Sequence, residues 1–385
     1  MDGCAPLVEC RHFDAFRCRS CSLLEVPRAQ QLSDKEAHAR SLVPARVWHP
    51  TIAGPDAGFR NKAKMVVGGT ADAPTLGILD RTNHGVDLRD CGLHSPRLTA
   101  ALEVVAALIT RAHLAPYSVT ERTGELKHVL LSESPDGELM LRLVVRSRAD
   151  EARIRKHLPW LLAELPQLRV VSLNVQPAHA AVLEGEREIV LTEQTVLPMR
   201  IAGLDLALRP QGFFQTNTYV AGALYAQARD WASEIEPSTI WDLYCGVGGF
   251  ALACMAPGRS ITGVEVSTEA VAAASAAAPK GVSFIADDAT RWVLDQSMVP
   301  GLVIANPPRR GIGAPLAGWL ESSDVGHVIY SSCNAETLGH DLARMPSLAP
   351  VEARVLDMFP HTTHYEVIVL LARERQISVE VAEGA

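Results

Sequence analysis

The chain has 385 residues, with 36 Lys and Arg against 44 Asp and Glu, a formal net charge of −8. At 48% hydrophobic and 21% charged residues it is globular rather than disordered, and its length points to roughly two to three domains. The acidic balance argues against a protein that coats nucleic acid, which needs phosphate neutralisation along its whole surface. Eight cysteines are too few for a disulfide scaffold in a chain this long.

The opening MDGCAPLVECRHF has no basic stretch ahead of an apolar one. No uncharged apolar run approaches the roughly 18 residues of a membrane span. A soluble, cytoplasmic protein with reduced thiols is expected. Four cysteines, Cys4, Cys10, Cys18 and Cys21, crowd the first 21 residues, and Cys91 follows at a distance. Cys18-Arg-Ser-Cys21 is a C-x2-C pair, which lets two thiolates reach one metal from one turn. Spacing alone separates neither zinc from an iron–sulfur cluster nor Cys4 from Cys91 as the fourth ligand.

Next in order come a helix over Ser33–Leu42 and a strand at Lys64–Val67 broken by two glycines. Leu98, Leu102, Val105, Leu108 and Ile109 fall at helical spacing. Leu126–Leu131 and Leu139–Val145 flank Ser-Pro-Asp-Gly, a hairpin signal. A helix over 149–165 precedes strands at Leu168–Val175, Glu188–Thr192 and Leu204–Leu208. After Pro210 the style changes. A helix from Asn217 to Ile235 leads into strands alternating with helices, the pattern of a doubly wound parallel sheet.

Thr239–Tyr244 reads as a buried strand and runs into Cys-Gly-Val-Gly-Gly-Phe and a helix start. Strand, glycine turn and helix make a nucleotide-type site. The next strand ends at Glu265, an acid placed to take two ribose hydroxyls. Without G-x-G-x-x-G or a Walker lysine, the loop reads as one for S-adenosylmethionine. Asp287 and Asp288, after the third strand, are second candidates, for an adenine amine. The fourth strand ends at Asn306-Pro-Pro-Arg-Arg-Gly. Arg309 stands where amine methyltransferases commonly carry an aromatic, and it supplies a charge for a phosphate or an enolate oxygen. Cys333 follows a further strand, on the same edge as the glycine loop, and is a candidate nucleophile if its thiolate is stabilised. Glu366 opens the last strand as a candidate general base. His361 and His364 are read as structural, hydrogen-bonded histidines.

NPPRRG followed 16 residues later by VIYSSCNAET, together with LDMFPHTTHYE, resembles the RNA uracil-C5 methyltransferase family. Phe59-Arg-Asn-Lys62 and Phe213-Phe-Gln-Thr-Asn217 match further segments of that family. The resemblance runs from about Cys10 to Leu371. The cysteines at C-x7-C-x2-C resemble the ribosomal RNA branch, which implies 23S rRNA as partner. It implies an α/β fold: a C-terminal Rossmann-like class I methyltransferase domain over 211–375, an N-terminal iron–sulfur region over 1–95, an α+β RNA-binding domain over 96–210 and a tail over 376–385. It further implies that Cys10, Cys18, Cys21 and Cys91 hold a [4Fe–4S] cluster and that Gln215, Tyr244, Glu265 and Asn306 contact S-adenosylmethionine. Cys333 resembles the nucleophile and Glu366 the base. The expected activity is C5 methylation of one 23S rRNA uridine by a monomer. Methylation of another RNA, and an inactive RNA-binding assembly factor, are the alternatives. Basic stretches at Arg60/Lys62/Lys64, Arg142/Arg146/Arg148, Arg153/Arg155/Lys156 and Arg309/Arg310 are the candidate RNA contacts.

Overall fold

The computed structural model describes residues 9–180 and 182–373. Cys4 and the tail over 376–385 lie outside the described residues. The chain begins with helices α1 (Arg11–Asp14) and α2 (Arg28–Leu42) and the two-residue strands β1 (Val47–Trp48) and β2 (Ile52–Ala53). A central layer follows: β3 (Lys62–Gly69), β4 (Pro74–Leu79), β5 (Gly85–Asp87), α3 (Pro96–Arg111), β6 (Leu126–Glu133), β7 (Leu139–Val145), α4 (Glu151–Glu164), β8 (Leu168–Val175) and β9 (Arg187–Val190). A hairpin of β10 (Leu197–Ile201) and β11 (Leu204–Leu208) leads to α5 (Thr218–Ile235). Then β12 (Thr239–Leu243), α6 (Gly249–Ala253), β13 (Ser260–Glu265), α7 (Thr268–Ala276), β14 (Val282–Ala286), α8 (Ala289–Leu294), β15 (Leu302–Ala305), α9 (Gly313–Ser322), β16 (His327–Ser332) and α10 (Ala335–Leu342) alternate. β17 (Leu348–Asp357) and β18 (Glu366–Arg373) close the described chain.

The central sheet runs β5-β4-β3-β6-β7-β8-β9. Its inner face is apolar because alternate strand residues point one way. Ala63, Met65 and Val67 of β3 join Val129, Leu131 and Leu141 against Leu98, Leu102, Val105 and Ile109 of α3. Ser95 starts that helix by accepting the Leu98 amide at 3.1 Å, with Pro96 in the first turn. The intervening residues Lys62, Lys64 and Val66 face outward, half-buried to exposed. β3 does not stop at Gly68. Gly68 is required there because a Cβ would stand 2.8 Å from the Gly85 backbone, where β5 crosses close by.

The catalytic sheet has nine strands, in the order β1-β17-β18-β16-β15-β12-β13-β14, with β2 also paired to β17. β14, β13, β12, β15 and β16 are parallel, and β18 enters antiparallel to β16. Strand order reverses at the β12/β15 pair, so a crevice opens past their carboxyl ends. Strands buried on both faces need continuous apolar runs, and β15, Leu-Val-Ile-Ala, is buried throughout.

Residues 9–95 divide between the two sheets by hydrogen bonding. β1 and β2 pair with β17, whereas β3 to β5 belong to the central sheet. α2 is anchored to the catalytic sheet by a buried ion pair, Lys35 Nζ to Asp357 Oδ1 at 2.6 Å, with Arg28 on the other oxygen. That helix starts five residues before the expected Ser33. Strands β10 and β17 lie where the sequence reading placed none.

Candidate active site

The topology gathers the sequence-derived candidates at one edge. Tyr244 follows β12, Glu265 ends β13, Asn306 follows β15 and Cys333 follows β16. These strands are parallel, so all four lie at the same end. β18 runs antiparallel to β16 with Ser332 opposite Val367, which brings Glu366, the first residue of β18, to that end as well. Gln215 arrives from the segment before α5. Its carbonyl accepts from Asn61 Nδ2 at 2.9 Å, and the same amide reaches Thr218 Oγ1 at 2.8 Å, tying the two family-like segments together.

The glycine loop is shaped by backbone conformation. Tyr244, Gly246 and Gly248 have φ of 62°, 54° and 86°. This is cheap for glycine and costly for tyrosine. A Cβ on Gly246 would meet nothing within 4 Å, so the loop presents its backbone to open space. Both oxygens of Glu265 are held by backbone amides, Oε2 by Gly246 at 3.1 Å and Oε1 by Ser267 at 3.0 Å. Each oxygen keeps a lone pair for a further donor. Asp242 on β12 is fully buried and accepts from the Ala251 amide at 2.8 Å. Burial, opposed by that hydrogen bond, raises its pKa to about 7. These residues fit S-adenosylmethionine: a glycine turn that leaves open space at Gly246 and an oriented carboxylate for two hydroxyls. Asp288 caps α8 through the Arg291 amide at 2.9 Å, and Asp287 pairs with the Arg291 guanidinium.

A cavity of about 550 Å³ opens over Cys333. Arg309 and Cys333 line it together with Lys35 and His38 of α2, His364 and Tyr365. Burial raises the Cys333 pKa, as does the neighbouring Glu366 charge; Arg309 lowers it through its charge and a hydrogen bond to the thiol. Glu366 is buried at 2% exposure behind the cysteine. Desolvation pushes its pKa up to about 7, against the opposing hydrogen bond from Ser331. Ser331 Oγ donates to Glu366 Oε1 at 2.5 Å and accepts from Asn306 Nδ2 at 3.2 Å. Sequence reasoning missed Ser331. The signal was there: a fully buried hydroxyl in an apolar strand needs a partner.

His361 is structural: its amide donates to Gln31 Oε1 at 3.0 Å and its ring bonds the Asp56 carbonyl at 2.8 Å. His364 departs from expectation by lining the cavity. Tyr365 and His38 also reach it, joined by a 2.8 Å hydrogen bond between the phenol and Nδ1. They went unnoticed because α2 is remote in sequence.

In two of the basic stretches every arginine pairs with a carboxylate of the chain. Arg142 is buried against Glu184 and Glu188, Arg146 pairs with Glu125, Arg148 and Arg155 with Glu151, and Arg153 with Asp150. Short i,i+3 and i,i+4 spacings made those pairings readable in part.

Cys10, Cys18, Cys21 and Cys91 are half-buried free thiols that lie within electrostatic reach of one another. Burial, then the charges of Cys91, Cys18 and Cys10, push the Cys21 pKa up to about 11, with Arg60 opposing. The segment holding Cys10 is fastened to the Cys91 loop by His12 and Arg11, both on Asp90. Among the described residues, no group of three or more His, Cys, Asp or Glu side chains has the arrangement that holds a metal ion. The donor set itself, four thiols without a carboxylate, is suited to soft iron or zinc. Cys245 and Cys254, left without a role by the sequence reading, are buried thiols. No helix among the described residues is long and apolar enough to cross a membrane.

A 23S rRNA (uracil(747)-C(5))-methyltransferase RlmC of Yersinia pseudotuberculosis is 48% identical over 376 residues, covering 96% of this chain and all of that protein. The chain belongs to the RNA uracil-C5 methyltransferase family. A Yersinia pestis protein of the same name is 47% identical over the same span. The family model for tRNA (Uracil-5-)-methyltransferase matches residues 293–374 of this family member, the stretch that carries Asn306, Cys333 and Glu366. The crystal structure of Pyrococcus abyssi tRNA (uracil-54, C5)-methyltransferase in complex with S-adenosyl-L-homocysteine superposes with a TM-score of 0.76. It covers 91% of this chain and 85% of its own at 23% identity, a likeness of fold. The fold is that of a class I S-adenosylmethionine-dependent methyltransferase, and this uracil-C5 methyltransferase carries it on the catalytic sheet.

Proposed function

We propose that this protein methylates C5 of one uridine in 23S rRNA, as a cytoplasmic monomer, with Cys333 as nucleophile and Glu366 as base. The observation that carries the reading is the meeting of Cys333, Glu366, Asn306 and the glycine loop at one sheet edge, beside a cavity able to take a base. Near-full-length identity to proteins named for that reaction supports the substrate.

C5 of uracil is a weak nucleophile. Addition of the Cys333 thiolate to C6 moves an electron pair toward C5 and O4. Arg309, beside the thiol, favours the thiolate and is placed to meet the enolate oxygen. S-adenosylmethionine supplies the methyl group when bound; Glu265 orients the ribose, and Gln215, Tyr244 and Asn306 contact the rest. Glu366 then takes the C5 proton, and the released pair restores the C5–C6 double bond as Cys333 leaves. Ser331 holds the accepting oxygen in place. A target base flipped from its stack suits a walled cavity.

Cys10, Cys18, Cys21 and Cys91 are proposed to hold a [4Fe–4S] cluster through their thiolates. The N-terminal segment over 1–95 would then be an iron–sulfur region, and residues 96–210 an RNA-binding domain. A cluster there ties the loop before α2 to the loop before α3. Leu23, two residues after Cys21, donates to the His361 carbonyl at 2.9 Å and lines the cavity. A role in shaping that cavity follows. Iron and acid-labile sulfide in an anaerobic preparation support the cluster; zinc without iron excludes it.

The test of the function is transfer of labelled methyl from S-adenosylmethionine to unmodified 23S rRNA, followed by mapping of 5-methyluridine. One methylated uridine is expected. Transfer to tRNA in preference to 23S rRNA would overturn the substrate.

A further inference from the structure

A second cavity, of about 490 Å³, lies in the central layer, among Val66, Tyr117, Lys127, His128, His179 and Val182. None of these residues takes part in the reaction above. Tyr117 is its aromatic wall. The phenol bonds His179 Nδ1 at 2.8 Å, and Lys127 Nζ stands 4.6 Å from the ring centroid. Lys127 is itself fixed by the Ala178 carbonyl at 2.7 Å, so ring and cation are held in place. Burial lowers the His128 pKa to about 4, which leaves a neutral ring with one donor and one acceptor. Apolar walls with a few placed polar groups form a small-ligand site. A flat aromatic heterocycle is a chemical match for a ring wall with polar groups at its edge.

Strand β3 leads from Asn61, which is bonded to the Gln215 carbonyl, to Val66 in the second cavity. Between them Lys62 and Lys64 share the outward face. Desolvation, then the charges of Lys64 and Arg142, lowers the Lys62 pKa to about 8, with the Glu184 charge opposing. Neither amine has a carboxylate within ion-pair distance among the described residues, in contrast to the arginines of β7 and α4. A crowded, unpaired amine gains from an arriving phosphate. Asn61 to Val66 is about 17 Å at ~3.4 Å per residue. That length spans roughly two to five nucleotides of a single strand.

We propose that this cavity seats a second, unpaired nucleobase of the RNA substrate. That base lies a few nucleotides from the methylated uridine, and the intervening phosphates run over Lys62 and Lys64. The proposal rests on the RNA methyltransferase reading and adds to it a second point of RNA recognition. Stacked bases are read this way in single-stranded RNA sites.

The test uses the full chain and an unmodified 23S rRNA transcript. Tyr117→Ala removes the stacking face, and Val182→Glu puts a charge on the exposed rim. Each is expected to raise KM about tenfold, the loss of one stacked base, with kcat falling less than threefold. Tyr117→Phe keeps the ring and restores most of the affinity. S-adenosylhomocysteine binding reports that the variants are folded. Ultraviolet crosslinking of the wild type is expected to join Tyr117 or His179 to a nucleotide within about five positions of the target. KM within twofold of wild type in both variants, with no crosslink at either residue, overturns the proposal. Absence of methyl transfer by the wild type overturns the parent function instead, and the crosslink alone then decides the cavity.

Discussion

Glu366 is held between two opposed influences: burial raises its pKa to about 7, and the Ser331 hydroxyl pulls it down. As proton acceptor it acts only when ionised, so methyl transfer is expected to rise with pH through about 7. Ser331→Ala removes the lowering bond and moves that acidic limb to higher pH, whereas Ser331→Thr keeps a hydroxyl and largely restores it. A pH–rate profile unchanged in Ser331→Ala contradicts the positioning role. The same shift has a consequence for stability. A carboxyl whose folded pKa lies above its unfolded value adds stability at low pH and loses it as pH rises through about 7. Glu366→Gln is therefore expected to melt with the wild type near pH 4 and above it at pH 8. An equal melting difference at both pH values removes burial as the cause.

At the scale of elements, α2 is the piece that joins an N-terminal segment to the cavity. Lys35 on this helix is 2% exposed and bonds the fully buried Asp357 of β17. Lys35→Met leaves Asp357 to Arg28 alone, and a broken buried pair costs about 3 kcal/mol. Urea unfolding reads that loss, and retention of full stability would show that Arg28 suffices. The parallel strands of the catalytic sheet were legible because both faces are buried. β15 and β12 are short apolar runs ended by Asn-Pro-Pro and Cys-Gly, and each ending placed a functional residue. β17 was not legible. Leu-Ala-Pro-Val-Glu-Ala-Arg carries a proline and charges, and it is a strand because β18 and the short β1 and β2 cover its two edges. The cavity wall from α2 was hidden for a similar reason: Lys35 and His38 meet Asp357 and Tyr365 more than 300 positions away. The grouping of Cys10, Cys18 and Cys21 was legible because it is local in sequence, whereas the nearness of Cys91 to them comes only with the fold.

Over the whole molecule, the net charge of −8 coexists with a nucleic-acid partner because most arginines outside the site neutralise carboxylates of the same layer. Among the described residues, Lys62, Lys64, Arg309 and Arg310 on the proposed RNA path have no carboxylate within ion-pair distance. RNA affinity is expected to fall with log salt at a slope of about −3, well short of a coating protein. Lys64→Ala should reduce the slope by about 1. Filter binding between 50 and 200 mM salt measures both, and a slope near −10 contradicts the picture of one narrow RNA path.

The central claim is that Cys333 adds to C6 of uracil while Glu366 removes the C5 proton. RNA carrying 5-fluorouridine at the target tests it most directly, because fluorine cannot leave as a proton does. With S-adenosylmethionine present, a denaturation-stable protein–RNA adduct is expected, and digestion should locate it on the peptide containing Cys333. The Cys333→Ala protein should give none. No adduct with the wild type, or an equal adduct with Cys333→Ala, would contradict the account.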